Sequence, residues 1–566
     1  MGVFLFSTRK VDTEKVKEVF TTRGHKDVKV AVENGQTLVY ASKVFVNNVN
    51  FLGGSQLTGG GGKFDFVLGI GTYIYKGDYQ EKALQAVWQD IDTVLKDNPV
   101  YGHWAFVVHK GDKTYVLNDM NGTLRLYYVE DEEGITVTSS MVAAIASIKA
   151  PKFDRVRLSA FLAGGYGNEI PFVEGVENFD PLKYMVIEVG KKPVWVKKAV
   201  PETKRIETLD EAVAYVKGLF KQQTDVLKEA IGDETVSIEL TAGLDSRLIA
   251  SNIKTAGINY DFLNYPLFGP DKEVSAQIAQ GLGKRMLVQT NEPCTKDFEH
   301  HYGEFDYGFN FFRQYANPRW VVENKIQFSG ARGECLDTPD IYSDEDIKMM
   351  EDPRIDVLLP RLTIRKNMTR QKQEEYKKYL LGYFEKRGFD VHKRLTEKEQ
   401  VEFGQMLCGQ LTGDYMYNSG VQSHIYFYQI YNEWHFNHFI TDIAFKAKMG
   451  RKLTLALITA IDPELGSYPF VSRRRTKRNS VNEIHELPVQ YFGYGGIKKK
   501  LPNWVVDFIY KRMGRVFSPE RFSQIDFKRY EDVIEVKPMM AHPNLYSAIL
   551  NRLHSVETLR KIFNIA

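Results

Sequence analysis

The feature that most constrains this chain is a change in its hydrophobic pattern near Glu207. From there a helical period over residues 209–231 is followed by a β-branched run at 236–240 and a second helical segment that ends at Gly257. Strand and helix then alternate again, up to a strand at 286–289. Helices and strands that alternate at this spacing predict a doubly wound parallel sheet.

Before this change the chain is rich in short apolar strands separated by glycine, aspartate and asparagine turns, which predicts an antiparallel layered domain. We therefore divide the chain into residues 1–203 and 204–566. After residue 328 the pattern is mainly helical, and the charged segment 344–398 predicts a solvated helical insertion. The predicted strands of the first domain cover 28–32, 37–40, 66–70, 104–109, 114–118, 135–139 and 184–189, and its predicted helices cover 81–95 and 158–163.

The composition excludes several classes of protein. A hydrophobic content of 43% allows a large core, and 75 basic against 72 acidic residues give no pull towards nucleic acid or anionic membranes. No apolar run approaches the ~18 residues that a membrane helix needs, and the three cysteines lack zinc or disulfide spacing. We expect a soluble, cytoplasmic protein that binds neither nucleic acid nor membrane; a homodimer stays open.

The loop after the strand at 236–240 carries the clearest chemical signal. It reads Thr241-Ala242-Gly243-Leu244-Asp245-Ser246 and leads directly into a helix. Small residues at a helix N-terminus present backbone N–H groups and the positive end of the helix dipole to an anion, and the hydroxyls of Thr241 and Ser246 add donors. An acid such as Asp245 beside a phosphate implies Mg²⁺ between them. The alternative is an ordinary turn in which these residues serve only turn and capping geometry.

This loop resembles the Ser-Gly-Gly-X-Asp-Ser loop of PP-loop pyrophosphatases, and most of all that of asparagine synthetases and their relatives, where it holds the pyrophosphate of ATP. The stretch Ser329-Gly330-Ala331-Arg332-Gly333-Glu334 resembles the second loop of that family, with Glu334 in place of an aspartate that binds magnesium. The resemblance implies ATP and Mg²⁺ as cofactors, with Asp245 and Glu334 on the metal. The nucleotide-binding residues that it implies are Leu240, Thr241, Ala242, Gly243, Leu244, Asp245, Ser246, Ser329 and Gly330.

Three stretches of the first domain resemble the same family. Residues 101–106, 117–122 and 126–128 are similar to its Gly-X-Phe-Ala, Arg-Asp-X-X-Gly and Pro-Leu-Tyr-Tyr segments. The resemblance implies an α/β protein: an N-terminal Ntn-type antiparallel αββα sandwich and a C-terminal doubly wound parallel PP-loop domain of the adenine nucleotide α-hydrolase type, with a helical elaboration. Gly2 stands where glutamine-dependent members carry the nucleophilic cysteine, so this domain is expected to lack glutaminase activity.

The resemblance also departs from the family at Ala331, where asparagine synthetases carry a glutamate and β-lactam synthetases a tyrosine, both tied to the step after adenylation. The base for amine attack must then come from elsewhere, and its candidates remain unranked. The family lysine that stabilises the adenylate and the departing pyrophosphate corresponds to Lys446 or Lys448, for which the alternative is a solvated helix residue. The candidate bases are Glu304, Asp306, Asp337 and Asp414.

Two further features allow more than one interpretation. The basic cluster at 472–478 is either an exposed loop or a segment that closes over a triphosphate or holds an acidic substrate. His435 and His438 lie in an aromatic-rich stretch, 426–439, that we predict to be a helix. Because no third metal ligand is identifiable, packing or substrate contact is the better interpretation of these histidines.

Together these features imply an ATP-dependent, AMP-forming carbon–nitrogen ligase. It would adenylate a small-molecule or peptide carboxylate and transfer the acyl group to an amine, either between molecules or by ring closure as in lasso-peptide cyclases and β-lactam synthetases. One alternative is an ammonia-dependent asparagine synthetase, against which Ala331 speaks. The other is a non-catalytic nucleotide-binding scaffold, against which the retention of Asp245 and Glu334 speaks.

Overall fold

The fold combines antiparallel and parallel sheets. The computed structural model describes residues 2–22, 25–42, 49–57, 64–164, 170–264, 269–288, 323–324, 326–336, 352–363, 365, 367–411, 426–471, 486–487, 502–512 and 519–566. None of the helices in these ranges combines the length and the apolar composition that crossing a lipid bilayer would require.

Two antiparallel sheets form the N-terminal part of the described chain, with strand orders β11-β9-β10-β1-β3-β2 and β13-β12-β8-β7-β5-β4; the short β6 pairs with β5. Their facing sides share one apolar layer, in which Phe4 and Phe6 of the first sheet belong to the same cluster as Leu68 and Val107 of the second. The strands are β1 (Val3–Ser7), β2 (Lys26–Glu33), β3 (Gln36–Ser42), β4 (Val49–Gly53), β5 (Phe66–Tyr75), β6 (Asp78–Tyr79), β7 (Tyr101–Lys110), β8 (Lys113–Asn118), β9 (Tyr127–Asp131), β10 (Gly134–Thr138), β11 (Val176–Asn178), β12 (Lys183–Ile187) and β13 (Val194–Lys197).

Helices cover the outer faces of both sheets. Because successive side chains of a strand point to opposite faces, Phe106 belongs to a different apolar layer from Val107, and it shares that layer with Leu84 and Val87 of α2. The result is a four-layer α/β/β/α sandwich. Its helices are α1 (Thr13–Thr22), α2 (Glu81–Gln89), α3 (Ile91–Asp97), α4 (Met141–Ala146) and α5 (Arg155–Ala163).

The predicted parallel sheet follows, with the strand order β16-β15-β14-β17-β18 and parallel pairing throughout. The chain runs outward from β14 through β15 to β16 and then crosses to the other side of β14, so β14 and β17 flank a topological switch point. The elements are α6 (Leu209–Ile231), β14 (Val236–Glu239), α7 (Leu244–Thr255), β15 (Tyr260–Asn264), α8 (Gly269–Gly281), β16 (Met286–Val288), β17 (Ile326–Phe328) and β18 (Tyr426–Tyr428).

The described part of the charged segment 344–398 contains two helices, Ile355–Thr363 and Arg370–Glu385, and the start of a third at Glu397, but the prediction that the segment is solvated is wrong. Tyr376, Leu380 and Phe384 recur every four residues and are fully buried, in one cluster with Ala160 and Ala163 of α5. The charges between them face outward, and they dominate the sequence pattern. The helices here are α9 (Ile355–Thr363), α10 (Arg370–Glu385) and α11 (Glu397–Gly404).

The C-terminal residues return to the N-terminal sandwich. Leu550 and Leu553 share the apolar layer of α1, α4 and α5, and the Phe153 N–H donates to the Ala566 carbonyl at 3.2 Å. The domain division at 203/204 thus stays a prediction. The last helices belong to the second predicted domain but pack on the first. The remaining elements are α12 (Trp434–Asn437), α13 (Phe445–Lys448), α14 (Lys452–Ile461), α15 (Pro463–Ser467), β19 (Phe470–Val471), β20 (Glu486–Leu487), α16 (Asn503–Arg512), α17 (Pro519–Ser523), α18 (Val536–Ala541) and α19 (Ser547–Phe563).

Candidate functional site

The loop at 240–246 lies at the carboxyl edge of the parallel sheet, between β14 and the N-terminus of α7. The residues after β17, the strand next to β14, lie at the same edge. In open α/β sheets, ligands bind in the crevice outside the carboxyl ends of the strands at a switch point. The fold therefore places both predicted loops at the position where such sheets hold ligands.

The first loop is closed by its own hydrogen bonds. The Thr241 N–H donates to Ser246 Oγ at 3.1 Å, and the Gly243 N–H donates to Thr241 Oγ1 at 3.1 Å. The two hydroxyl oxygens lie 3.2 Å apart. An ordinary turn would make the same contacts, so these hydroxyls alone do not separate the two interpretations of the loop.

The start of helix α7 favours a ligand. Gly243 is its N-cap and supplies no side-chain cap for the N–H groups of the first turn. Asn264, at the end of β15, donates from Nδ2 to the Leu240 carbonyl at 2.8 Å and so fixes the base of the loop. A helix N-terminus without a side-chain cap, after a loop that is anchored at its base, suits a phosphate.

The two loops are in direct contact. A β-carbon on Gly330 would lie 2.4 Å from the Ser246 nitrogen, and one on Gly333 would lie 2.4 Å from Cβ and Cγ of Asp245. No residue larger than glycine fits at either place without moving the first loop. A plain turn requires no such approach, so the predicted residues from both loops form one compact unit. Their role in nucleotide binding stays a prediction.

The second loop is held in a defined shape. The Ser329 N–H donates to the Tyr428 carbonyl of β18 at 3.2 Å, and Ser329 Oγ accepts from the Ala331 N–H at 3.2 Å. Arg332 adopts a left-handed conformation (φ 73°) and is buried. Ala331 is half-buried in this loop and presents only a methyl group.

The predicted metal ligands are described in part. Asp245 is half-buried in the first turn of α7, and Glu334 belongs to the 3-10 helix Gly333–Leu336, although its side chain lies outside the described residues. Within the described part, no group of three or more His, Cys, Asp and Glu side chains could hold a metal ion. Mg²⁺ commonly binds through one or two carboxylates, so the Asp245 carboxylate is a ligand of the kind that this ion takes, and its role as a metal ligand stays a prediction.

The two predicted catalytic lysines have different surroundings, although both belong to α13. Lys446 is exposed, and its ammonium lies 2.8 Å from the Glu207 carboxylate; hydrogen bonds from Lys446 and Arg205 lower the pKa of Glu207 to about 2. Lys448 is fully buried, with its ammonium 5.6 Å from the centre of the Phe445 ring. Lys448 is thus the better candidate for a closed site, and its catalytic role stays a prediction.

The stretch 426–439 is not one helix, so that prediction is wrong. It begins as strand β18, continues through the 3-10 turn Ile430–Asn432 and becomes helical only in α12. Its aromatic residues suit a strand as well as a helix, and parallel pairing with β17 decides between them.

The two histidines of this stretch form hydrogen bonds with backbone carbonyls of the N-terminal part of the chain. His435 places Nδ1 2.8 Å from a Glu433 carboxylate oxygen and Nε2 2.9 Å from the Asn98 carbonyl. Burial lowers the pKa of His435, but the Glu433 charge and both hydrogen bonds outweigh it and raise the pKa above its ordinary value. His438 Nε2 lies 2.7 Å from the Pro201 carbonyl.

Several predicted residues lie outside the described part of the chain. They are the candidate bases Glu304, Asp306, Asp337 and Asp414 and the basic cluster at 472–478.

Tyr431 is a site residue that the sequence did not indicate. Its hydroxyl donates to the Asp245 carbonyl at 2.9 Å, and its side chain is fully buried. The two residues are 186 positions apart, and no local pattern connects them. Asn264 carried a weak signal, because a polar residue at the carboxyl end of a buried strand lies at the functional edge of a parallel sheet.

Comparisons with known proteins give only distant similarities. No protein-family model matches the chain, and no curated protein matches it. Glutamine phosphoribosylpyrophosphate (PRPP) amidotransferase from B. subtilis, complexed with ADP and GMP, aligns at 9% identity over 58% of this chain and 74% of that chain, with a TM-score of 0.22. The structure of the allosteric regulatory enzyme of purine biosynthesis aligns at 10% identity over 52% of this chain and 83% of that chain, with a TM-score of 0.24. Similarity this low carries no argument about fold or activity.

Proposed function

We propose that this chain is an ATP-dependent ligase that activates a carboxylate by adenylation and transfers the acyl group to an amine. The observation that carries the proposal is the contact between the two glycine-containing loops at the switch point, where Gly330 lies against Ser246 and Gly333 against Asp245. This contact brings a helix N-terminus, a carboxylate and a second loop to one place. The helix N-terminus suits a phosphate, and the carboxylate suits the Mg²⁺ that accompanies ATP.

In this proposal ATP is a substrate whose phosphates accept hydrogen bonds from the N–H groups at the start of α7. Asp245, with Glu334 as its expected partner, would hold Mg²⁺, which supplies positive charge that neutralises the pyrophosphate as it leaves. The N–H groups and the helix dipole stabilise the same developing charge. Binding both substrates in one crevice supplies their relative orientation.

The reaction has two balanced steps. A carboxylate oxygen of the first substrate bonds to the α-phosphorus of ATP, and the bond from that phosphorus to the bridging oxygen breaks, which releases pyrophosphate. The amine nitrogen of the second substrate then bonds to the acyl carbon, and the bond to the AMP oxygen breaks. The proton lost by the amine passes to a base, a role that the methyl group of Ala331 cannot fill. An asparagine synthetase is therefore the weaker alternative.

The proposal is tested by isotope exchange between ATP and labelled pyrophosphate. We expect the full chain with Mg-ATP to catalyse exchange that depends on the presence of one of a set of carboxylic acids. Asp245→Asn should reduce the rate by about 100-fold, in the range seen when a residue that stabilises transition-state charge is removed. Asp225→Asn is the matched control, because Asp225 pairs only with the exposed Lys221 on α6 in the described structure.

Two outcomes would overturn or redirect this function. An absence of exchange with every acid, together with unchanged ATP affinity in Asp245→Asn, would leave no enzymatic role for the loop and would favour a non-catalytic scaffold. Formation of asparagine from aspartate, ammonia and Mg-ATP would instead establish an ammonia-dependent asparagine synthetase.

A further inference from the structure

We propose that the N-terminal sandwich acts as a brace for the loop 240–246, which we call the nucleotide loop. In this inference strand β7 and its neighbouring loops hold residues 429–435, which we call the brace segment, and Tyr431 of this segment holds Asp245. The inference rests on the proposed function for its catalytic consequence, but its structural part can be measured without any reaction. It makes Tyr431 and His103 positioning residues.

The first contact joins the middle of β7 to the start of the brace segment. His103 is fully buried, and its Nε2 accepts the Gln429 N–H at 3.0 Å. Burial lowers the pKa of His103 to about 4, so the ring is neutral near pH 7 and Nε2 stays an acceptor. The Gln429 N–H thus has a fixed partner that comes from the other part of the molecule.

Further contacts hold the rest of the brace segment. Asn121 donates from Nδ2 to the Asn432 carbonyl at 2.6 Å. His435 bonds to the Asn98 carbonyl at 2.9 Å, and its ring stacks on Tyr101 with the ring centres 4.2 Å apart. Residues of the sandwich therefore form hydrogen bonds with the brace segment at its start (Gln429), its middle (Asn432) and its end (His435).

On its other side the brace segment reaches the nucleotide loop through Tyr431. The ring of Tyr431 packs edge-on against Phe220 and Phe436, with ring centres 6.2 and 5.9 Å away, and its hydroxyl donates to the Asp245 carbonyl at 2.9 Å. Because Asp245 Cβ lies directly against Gly333, a fixed Asp245 backbone also fixes its carboxylate relative to the second loop.

A second contact between the two parts of the molecule serves as an internal comparison. Tyr79 of the sandwich donates from its hydroxyl to the Glu234 carboxylate at 2.8 Å. Glu234 precedes β14, so this bond lies at the amino end of the strand, whereas the nucleotide loop follows its carboxyl end. Tyr79→Phe and Tyr431→Phe therefore each remove one tyrosine hydroxyl, and the two hydroxyls lie near opposite ends of β14.

The experiment compares four variants of the full chain: Tyr431→Phe, Tyr79→Phe, His103→Leu and His103→Gln. Amide hydrogen exchange of residues 241–249 is measured with and without Mg-ATP, followed by kcat and KM for ATP in pyrophosphate exchange and by thermal unfolding. We expect Tyr431→Phe and His103→Leu to speed amide exchange in the loop and to lower kcat by ~10-fold, with KM for ATP within about twofold, since small displacements of catalytic groups cost rate. His103→Gln keeps an acceptor for the Gln429 N–H and should recover most of the loss.

Tyr79→Phe should change neither the loop nor kcat, even if it lowers the unfolding temperature as much as Tyr431→Phe does. A double variant, Tyr431→Phe with His103→Leu, should lose less than the product of the two single losses, because both act through one segment. Equal loop exchange and equal kcat in Tyr431→Phe and Tyr79→Phe would overturn the brace. If the unmodified chain catalysed no reaction, the proposed function would fail, and amide exchange in the four variants would still decide the brace.

Discussion

The sandwich and the parallel sheet differ in how they use polar side chains. Inside the sandwich, Asp119 is fully buried and accepts the N–H groups of Thr123 at 3.1 Å and Leu124 at 3.3 Å. Lys198 is buried beside it and donates to the Asn118 carbonyl. Burial raises the pKa of Asp119 to about 6 and lowers the pKa of Lys198 to about 7, which marks both as groups kept from water.

At the carboxyl edge of the parallel sheet, some of the polar side chains are exposed to solvent rather than enclosed. Thr241 is exposed, Asp245 is half-buried, and α7 begins without a side-chain cap. Here the backbone of Asp245 is held by the buried Tyr431, while the side chains of Thr241 and Asp245 stay accessible to a ligand. The difference teaches that Asp119 and Lys198 are enclosed by the sandwich, whereas Asp245 is held through its backbone while its side chain stays partly exposed.

The largest effect is expected from Asp119→Ala, which tests whether the buried charges of the sandwich act on stability alone. The change leaves two N–H groups without their acceptor and removes one of the two negative charges that favour the buried Lys198 ammonium, so we expect the free energy of unfolding to fall by about 3 kcal/mol. ATP affinity should stay the same. Urea denaturation and nucleotide titration measure the two quantities, and Asp112→Ala on the exposed turn after β7 is the control. A change in ATP affinity without a change in stability would show that Asp119 acts on nucleotide binding and not on the stability of the sandwich.

The next effect sharpens the comparison at the other region. Gly330→Ala introduces a β-carbon 2.4 Å from the Ser246 nitrogen, so one of the two loops has to move. We expect pyrophosphate exchange to fall by ~100-fold, because a displacement of about 1 Å costs this much rate, while stability falls by only about 1–3 kcal/mol. Gly218→Ala on α6 meets no neighbouring atom and is the matched control. Equal activity in both variants would show that the contact between the loops has no catalytic importance.

The smallest expected effect concerns pH. The folded-state pKa of His435 is raised, so its contribution to stability is complete below the unfolded value of about 6.5 and is lost as the pH rises through the folded value. The stability advantage of the unmodified chain over His435→Gln should therefore shrink from pH 6 to pH 8.5 in thermal unfolding. An advantage that grows with pH would mean that the ring is neutral in the folded protein.

Much of the parallel sheet could be predicted from sequence, because its signals are local. Helix α6 has the predicted bounds 209–231, set by a capping box between Thr208 and Glu211 and by Gly232 at its end. The strands at 236–240 and 260–265 are correct to within one residue. Apolar runs bounded by turn residues carry this information without any tertiary contact.

Only those features of the candidate site that lie within short stretches of sequence could be predicted. Thr241–Ser246 and Ser329–Glu334 are each visible as motifs, but their contact through Gly330 and Gly333 requires the sheet order. The contact of Tyr431 with Asp245 joins residues that no periodicity connects. The aromatic spacing of 426–439 predicts a helix because it does not reveal a strand partner. Long-range pairing, which tertiary packing decides, is the information that was missing.

The return of residues 525–565 to the sandwich has a consequence for biosynthesis. Ile534, Leu550 and Leu553 complete the apolar layer over the first sheet, together with helices that emerge from the ribosome several hundred residues earlier. Chains grow at about 5–20 residues per second, so this layer stays incomplete for tens of seconds after its sheet has been made. During that interval the outer face of the sandwich is a candidate for chaperone binding, and the nascent chain acquires its final N-terminal core only when its last helices arrive.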